Sequence, residues 1–185
     1  MYSVNDFRNG LKILYEGEPY VIVEFHHVKP GKGNAFTRTK IKHLISGRVL
    51  DPTFKSGEKV GHPDIEEKQM QYLYREGDHY TFMETENYEQ ALVDATALGD
   101  VAKLLQENCV CSVLFWNGRA IGVTLPNHVF LKVVKCQPGV RGDTATGATK
   151  PATLESGATV NVPLFVNEGD TLKIDTRTGL YLERA

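Results

Sequence analysis

Apolar and polar residues alternate along short segments of this chain, and the alternation has the period of β-strands over most of its length. The segments are separated by Gly, Pro, Asn and Asp, which are typical of turns. The pattern predicts strands over residues 11–15, 20–27, 36–43, 68–74, 79–83, 110–116, 119–125, 128–136, 159–163, 171–175 and 181–183. It therefore predicts an all-β protein.

One segment departs from this pattern. Residues 97–105 have apolar positions at the 3.6-residue period of an α-helix, which predicts one short helix in the middle of the chain. The strand pattern breaks near Pro63 and again at Pro126, which predicts three modules, 1–63, 64–126 and 127–185. Small β-barrels fit these modules best, because a closed barrel leaves no strand edge exposed.

A lysine stands at the centre of the longest predicted hairpin. Strands 20–27 and 36–43 flank Lys32, which has a glycine on either side and Pro30 just before. Proline fixes one φ angle, and the glycines permit a sharp turn without crowding the amine. An eight-residue strand spans roughly 26 Å, so the arms can hold this lysine away from the core. We predict that Lys32 is displayed to an anionic partner.

The second arm of the hairpin carries a cation at every other position. Arg38, Lys40 and Lys42 share one face, because side chains alternate along a strand. The charge distribution agrees: residues 1–63 hold ten Lys and Arg against six Asp and Glu, whereas residues 64–126 hold four against eleven. This asymmetry predicts that RNA or another polyanion meets the first module.

Composition excludes several classes of protein. No apolar stretch follows a basic start at the N-terminus and no apolar run could span a bilayer, so we expect a cytoplasmic protein. The three cysteines do not make a disulfide framework. Cys109 and Cys111 face the same side of a predicted strand without further metal ligands, so we expect buried core cysteines rather than a zinc site.

Motifs of enzymes are incomplete. Residues 142–147 have the glycine spacing of a P-loop without its Lys-Ser/Thr, and residues 56–59 match a β-lactamase motif without its partners. His26 and His27 point to opposite faces of one strand, so no metal site is predicted. A nucleophilic Lys32 is the one catalytic alternative, and it needs burial or neighbouring cations that favour the neutral amine. We predict no catalytic residue.

Several motifs occur in the order of one known family. Residues 150–169, Lys-Pro-Ala-Thr-Leu-Glu-Ser-Gly through Gly169, closely resemble the C-terminal signature of bacterial elongation factor P. Residues 175–179, Asp-Thr-Arg-Thr-Gly, resemble that family's ending, although Leu180 stands where the family often has a polar or acidic residue. The upstream matches are Lys29-Pro-Gly-Lys32-Gly, Leu98-Gly-Asp100 and Gly142-Asp143-Thr144. The resemblance covers essentially the full chain.

This resemblance implies an L-shaped molecule of three β-barrels, one SH3-like and two OB-like. It implies a monomeric translation factor that binds the 70S ribosome beside the peptidyl-tRNA and relieves stalling at consecutive prolines. Lys32 places the chain in the family's lysine branch, in which a modifying enzyme extends the tip lysine. A β-lysyl group is the extension we favour, and no other cofactor is expected.

Site residues follow from the same resemblance. Lys32 would reach the CCA end of the peptidyl-tRNA, and the tip around it would consist of Lys29, Pro30, Gly31, Gly33 and Asn34. As a hypothesis, phosphates bind to Arg38, Lys40 and Lys42. A loop at the other end would face the exit-site codon of the mRNA with Gly142, Asp143 and Thr144. Arg177 is a hypothetical contact to the small subunit.

Two other interpretations remain open from the sequence. An elongation factor P-like paralogue has the same architecture with a different or absent tip modification. A general OB-fold RNA chaperone reads single strands with aromatic residues on a barrel face. The aromatic residues of the first module are scattered, which favours core packing; they are Tyr2, Phe7, Tyr15, Tyr20, Phe25, Phe36 and Phe54.

Overall fold

A computed structural model of the chain describes residues 1–139 and 147–185. Strands dominate the described residues, and the prediction of an all-β protein is confirmed. The chain forms two compact units, residues 1–66 with 114–122 and residues 67–113 with 123–185. The division into three modules at residues 63 and 126 stays a prediction.

The N-terminal region is built around one long hairpin. Four strands form a sheet in the order β2-β3-β4-β5, β6 pairs with β4, and β1 pairs with β7. Their bounds are β1 (Tyr2–Ser3), β2 (Lys12–Tyr15), β3 (Glu18–Val28), β4 (Phe36–His43), β5 (Val49–Leu50), β6 (Thr53–Lys55) and β7 (Lys59–Val60), with a 3₁₀ turn at Val4–Asp6. Alternating apolar residues of these strands form one core of Val4, Phe7, Leu11, Ile13, Tyr20, Ile22, Ile41, Phe54 and Val60.

A β-bulge interrupts the first arm of the hairpin. Strands β3 and β4 pair antiparallel, with a register shift between Ile22 and Glu24. Val23 is the extra residue, and both Val23 and Glu24 are exposed although they are adjacent. Beyond the bulge, Glu24 lies opposite Lys40. The bulge therefore decides which side chains of β3 share a face with the cations of β4.

The middle of the chain forms a five-stranded sheet in the order β10-β9-β8-β11-β12. Its strands are β8 (Ile65–Glu76), β9 (His79–Glu84), β10 (Gln90–Asp94), β11 (Val110–Trp116) and β12 (Arg119–Thr124). Strand β10 was not predicted, because three apolar residues follow one another in it and hide the alternation. Val93 is buried, whereas Leu92 remains 66% exposed.

The predicted helix over residues 97–105 is mostly wrong. The structure has a four-residue α-helix, α1 (Ala95–Leu98), followed by a 3₁₀ segment at Gly99–Lys103. Gly99 ends the α-helix with a φ of 54° and a ψ of −128°, a conformation that glycine adopts at little cost. The predicted apolar positions Leu98 and Leu105 are buried. Such spacing does not distinguish an α-helix from a 3₁₀-helix, however.

The C-terminal region is a second five-stranded sheet, in the order β15-β14-β13-β16-β17. Its strands are β13 (His128–Cys136), β14 (Thr149–Leu154), β15 (Thr159–Pro163), β16 (Thr171–Asp175) and β17 (Tyr181–Arg184). Strand β14 was not predicted, because Lys150 and Pro151 obscure its apolar pattern. Lys150 is nevertheless buried, and its Nζ donates a hydrogen bond to the carbonyl of Gln137 at 2.6 Å.

Burial was expected for Cys109 and Cys111, and Cys109 differs from this expectation. Cys111 is buried, but Cys109 and Cys136 are half-buried, and all three are free thiols. The reason is position, because Cys109 precedes β11 and Cys136 ends β13. Among the described residues, no helix is long and apolar enough to cross a membrane.

Candidate nucleic-acid interface

The tip of the long hairpin consists of residues 29–35, between the end of β3 and the start of β4. Lys32 is exposed in the middle of it. A Cβ atom added at Gly31 would meet nothing within 4 Å, and Gly33 adopts a φ of +120° that only glycine tolerates without strain. The amide of Ser56 donates to the carbonyl of Ala35 at 3.0 Å and fixes the base of the tip.

The exposed face of β4 carries the predicted cations. Arg38, Lys40 and Lys42 are exposed, and the residues between them on the opposite face, Thr37, Thr39 and Ile41, are buried. The guanidinium of Arg38 also lies over the ring of Phe36, 5.6 Å from its centre. Within residues 1–139 and 147–185, no carboxylate lies at ion-pair distance from Arg38, Lys42 or Lys32. The cationic charge of this face is therefore largely uncompensated.

Two buried hydroxyl groups lie on the opposite face of the strand, where alternation places them, but alternation does not predict their hydrogen-bond partners. The hydroxyl of Thr39 donates to the carbonyl of Pro52 at 2.8 Å. The hydroxyl of Thr37 lies 2.7 Å from Nδ1 of His27 on the neighbouring strand. Both hydroxyl groups thus have a hydrogen-bond partner, as buried polar groups usually do. These two bonds connect β4 to its neighbours close to the tip.

One carboxylate accompanies the cations on their face. Oε2 of Glu24 lies 3.7 Å from Nζ of Lys40, and Oε1 lies 2.8 Å from Nε2 of His26. The hydrogen bond from His26 and then the charge of Lys40 hold the pKa of Glu24 below its ordinary value. Both ion pairs are exposed, so replacing the carboxylate of Glu24 by another anion costs little free energy.

The histidines of this region do not converge. His26 contacts Glu24, His27 contacts Thr37, and Nε2 of His43 lies 3.2 Å from Oε2 of Glu18. In the part of the chain that the structure describes, no three His, Cys, Asp or Glu side chains are arranged to hold a metal ion.

The second predicted contact lies in the turn after β16. Arg177 is exposed, its amide donates to Oδ1 of Asp175 at 2.8 Å, and its guanidinium lies 3.4 Å from Oδ2 of the same carboxylate. The amide of Thr178 also donates to Oδ1, at 3.2 Å. These donors, the Arg177 amide foremost, hold the pKa of Asp175 below its ordinary value. The third predicted site, Gly142, Asp143 and Thr144, lies outside the described residues.

Comparison with known proteins gives a consistent assignment along the whole chain. Three family models match: the elongation factor P KOW-like domain at residues 3–60, the elongation factor P OB domain at 65–123 and the elongation factor P C-terminal domain at 129–184. This set of domains, in this order, defines a translation elongation factor. The chain belongs to the elongation factor P family.

Full-length relatives agree. An elongation factor P from Natranaerobius thermophilus is 54% identical over 184 residues, which cover 100% of this chain and 98% of the relative. Those from Moorella thermoacetica and Syntrophomonas wolfei are 54% and 55% identical, with 100% of both chains covered in each pair. Such identity over the full length leaves the family assignment without ambiguity.

Solved structures show the same fold at much lower identity. Eukaryotic translation initiation factor 5A from Methanococcus jannaschii is 22% identical with a TM-score of 0.56, over 67% of this chain and 91% of that chain. An initiation factor 5A family protein from Naegleria fowleri is 14% identical with a TM-score of 0.54, over 67% of this chain and 96% of that chain. These two likenesses concern the fold alone.

Proposed function

We propose that this protein binds the 70S ribosome beside the peptidyl-tRNA and promotes peptide-bond formation between consecutive prolines. The observation that carries the proposal is the long hairpin, which displays Lys32 at an open glycine-flanked tip above an exposed row of cations. Membership of the elongation factor P family supports the same function. The protein works in the cytoplasm as a monomer.

The proposed mechanism is positioning of the peptidyl-tRNA. Proline reacts slowly because its secondary amine is constrained and its ring limits how the nascent chain can lie. A protein without chemistry of its own lowers the barrier by ordering the CCA end in a geometry ready for attack, an effect worth up to roughly 7–11 kcal/mol in favourable cases. Lys32 supplies charge and reach for this step, and no residue acts as a general acid or base.

The cationic face anchors the hairpin on the tRNA backbone. Arg38, Lys40 and Lys42 bind phosphates, and Lys29 extends this row towards the tip. Phosphate contacts fix orientation without reading sequence, which suits a factor that must accept any tRNA that carries a proline. The pair between Lys40 and Glu24 is exposed at 3.7 Å, so a phosphate can replace the carboxylate.

A covalent extension of Lys32 completes the proposed tip. We favour a β-lysyl group, attached by a lysine-modifying enzyme, because it lengthens the side chain and ends in further amines. The tip is suited to it, since Gly31 has open space around its Cα atom and Pro30, Gly33 and Asn34 present no large side chain. In the C-terminal region, we propose that Gly142, Asp143 and Thr144 meet the exit-site codon and that Arg177 contacts the small subunit.

The competing RNA-chaperone interpretation requires aromatic residues on an open face. In the first module, Phe7, Tyr20 and Phe54 are buried, and Tyr2, Tyr15 and Phe25 pack against the same core. Aromatic rings used in this way are not available for stacking on bases. For the first module, this favours the ribosome-bound function over general binding to single strands.

The test is the rate of Pro-Pro bond formation on stalled ribosomes in a purified translation system. Protein taken from its native host, which carries any modification, should accelerate the reaction about tenfold or more, a barrier change of ~1.4 kcal/mol per factor of ten. The Lys32→Ala variant should not accelerate it. If the fully modified wild-type protein leaves the rate unchanged, the proposed function is wrong.

A further inference from the structure

Two thiols lie together at the start of β11, away from the hairpin. The sulfur atoms of Cys109 and Cys111 are 3.9 Å apart, and the thiol of Cys111 is within hydrogen-bond distance of both the sulfur and, at 3.7 Å, the carbonyl oxygen of Cys109. The backbone holds this arrangement from β8, because the amide of Tyr72 donates to the carbonyl of Cys109 at 2.9 Å. The amide of Asn108 donates back to the carbonyl of Tyr72 at 2.8 Å. These two hydrogen bonds connect the N-terminal end of the pair to β8.

The two thiols differ in access to solvent. Cys109 is half-buried, whereas Cys111 is only 1% exposed. A reagent from solvent therefore reaches Cys109 first. The hydrogen bond from Cys111 also lowers the pKa of Cys109 to about 7, despite partial burial, and the same bond with burial raises the pKa of Cys111. The accessible sulfur is thus the more nucleophilic one, because thiolates and not thiols attack.

A zinc ion explains this pair less well than oxidation. Structural zinc takes four ligands and catalytic zinc at least three from the protein, and no set of three His, Cys, Asp or Glu side chains occurs within residues 1–139 and 147–185. A reactive accessible thiol next to a protected second thiol is instead the arrangement of redox-sensitive cysteines.

We propose that Cys109 and Cys111 form a peroxide-sensitive dithiol, in which Cys109 attacks and Cys111 resolves. The Cys109 thiolate attacks one oxygen of a hydroperoxide, the O–O bond breaks, and the departing oxygen takes a proton to leave as water or an alcohol. Cys109 is then a sulfenic acid. The Cys111 sulfur attacks it, the S–O bond breaks, and water leaves with the proton of the Cys111 thiol. Two thiols are oxidised and one hydroperoxide is reduced.

The backbone spacing between Cys109 and Cys111 permits a disulfide. Two residues of extended chain advance it by roughly 6.6 Å, inside the upper limit of about 6.8 Å between the Cα atoms of a disulfide. The sulfur atoms must approach by roughly 1.9 Å to reach bonding distance, starting from 3.9 Å. A disulfide formed so near the upper limit of the Cα–Cα distance is strained, and cellular thiols reduce strained disulfides more readily.

Closure of the bridge disturbs a contact to the C-terminal sheet in the same compact unit. The amide of Cys109 donates to the carbonyl of Gln106 at 3.1 Å, and the side chain of Gln106 donates to Oε1 of Glu155 at 3.0 Å. Glu155 also accepts a hydrogen bond from the amide of Lys132 at 2.9 Å and stays in place. Movement of Cys109 towards Cys111 therefore pulls the 106–108 turn away from a fixed partner.

The experiment treats the reduced full-length protein with a small excess of hydrogen peroxide at pH 7, followed by alkylation and peptide mass spectrometry. We expect a mass loss of two hydrogens in the peptide that holds Cys109 and Cys111, and its reversal by a dithiol reductant. Cys136 is the internal control, because it is half-buried like Cys109 but its thiol donates to a carbonyl, that of Val166 at 3.7 Å. Cys109 should react about tenfold faster than an ordinary thiol such as this one.

Three variants separate the roles. Cys111→Ser should leave a sulfenic acid on Cys109 that dimedone traps, Cys109→Ser should leave Cys111 unoxidised, and Cys136→Ser should behave as the wild type. If Cys111→Ser fails to fold, Cys111→Ala carries the same test. Equal oxidation of Cys136 and Cys109, oxidation of Cys111 in Cys109→Ser, or exclusive formation of intermolecular disulfides would each overturn the proposal.

The structural consequence has its own readout. Hydrogen exchange of the oxidised protein should rise by about tenfold or more at the amides of residues 106–109, and it should stay unchanged in the 29–35 tip. A disulfide that forms without any change at residues 106–109 would overturn the proposed loss of the Gln106 contact with Glu155.

Discussion

Lys32 and Arg177 are both exposed cations in turns, but their surroundings differ. Lys32 stands between two glycines, with no carboxylate at ion-pair distance among the described residues. Arg177 stands beside Asp175. The Asp175 carboxylate accepts a hydrogen bond from the Arg177 amide at 2.8 Å and lies 3.4 Å from the Arg177 guanidinium. One turn leaves its cation unconstrained, and the other holds its cation in place and offsets part of its charge.

The difference separates function from stability. A side chain without partners contributes little to the folded state, so its removal should affect only what it binds. A carboxylate that accepts two backbone amides organises its own turn, so its removal should affect the fold locally. We therefore expect loss of the Lys32 side chain to remove activity without loss of stability, and variants of the Asp175 turn to show the reverse.

The largest expected effect is at Lys32. Lys32→Ala should abolish acceleration of Pro-Pro bond formation, and its midpoint of thermal unfolding should stay within about 1 °C of the wild type, because exposed side chains change stability little. Arg177→Ala removes a proposed contact to the small subunit, and it should reduce the acceleration much less than Lys32→Ala does. A large fall in thermal stability for Lys32→Ala would contradict the picture of a free tip.

A smaller effect is expected on the cationic face. Lys40→Glu should weaken binding to ribosomes by about tenfold at low salt, and the loss should shrink as salt rises, since phosphate contacts release counterions. The same measurement on Lys42→Glu tests the role of Glu24, because among the described residues Lys40 has this carboxylate at ion-pair distance and Lys42 has none. Loss of binding that does not depend on salt would show that the substitution damages the hairpin instead.

Much of this site could be predicted from the sequence, and the exceptions have clear causes. Alternation along β4 placed Arg38, Lys40 and Lys42 on one face, because a strand has a fixed period of two. The bulge at Val23 could not be predicted, because it depends on pairing with β4 and leaves no pattern in β3 alone.

Contacts between distant segments were hidden for the same reason. The hydroxyl of Thr39 meets the carbonyl of Pro52, and Lys150 reaches Gln137, across gaps that only the folded chain closes. The cysteine pair shows a third limit. Its spacing predicted that both thiols face one side, as they do, but Cys109 is half-buried because it lies just before β11, which begins at Val110.

The Asp175 turn should show a moderate effect on stability. Asp175→Ala should lower the midpoint of thermal unfolding by about 3 °C, because the amides of Arg177 and Thr178 lose their acceptor. Asp175→Asn keeps an acceptor oxygen and should lose less. Pro-Pro acceleration should change little in either variant.

The pH dependence of this turn has a definite sign. The pKa of Asp175 is lowered in the folded protein, so the carboxylate stabilises the fold above its ordinary value of 3.8, and this stabilisation is lost as the pH falls through the lower folded value. The stability difference between wild type and Asp175→Asn should therefore close below pH 3.8. A difference that persists unchanged at lower pH would show that charge does not contribute.

The two glycines of the tip should differ, and one of them, Gly31, should show the smallest effect of all. Gly33→Ala should lower the free energy of unfolding by about 1 kcal/mol, because alanine does not tolerate a positive φ, here +120°. The exposed tip then relaxes and redirects Lys32, so the Pro-Pro rate should fall as well. Gly31→Ala has open space and an ordinary φ, so we expect stability within about 0.5 kcal/mol of the wild type and nearly full activity. Equal losses of activity in both variants would indicate that the ribosome needs a bare backbone at the tip rather than one direction for its lysine.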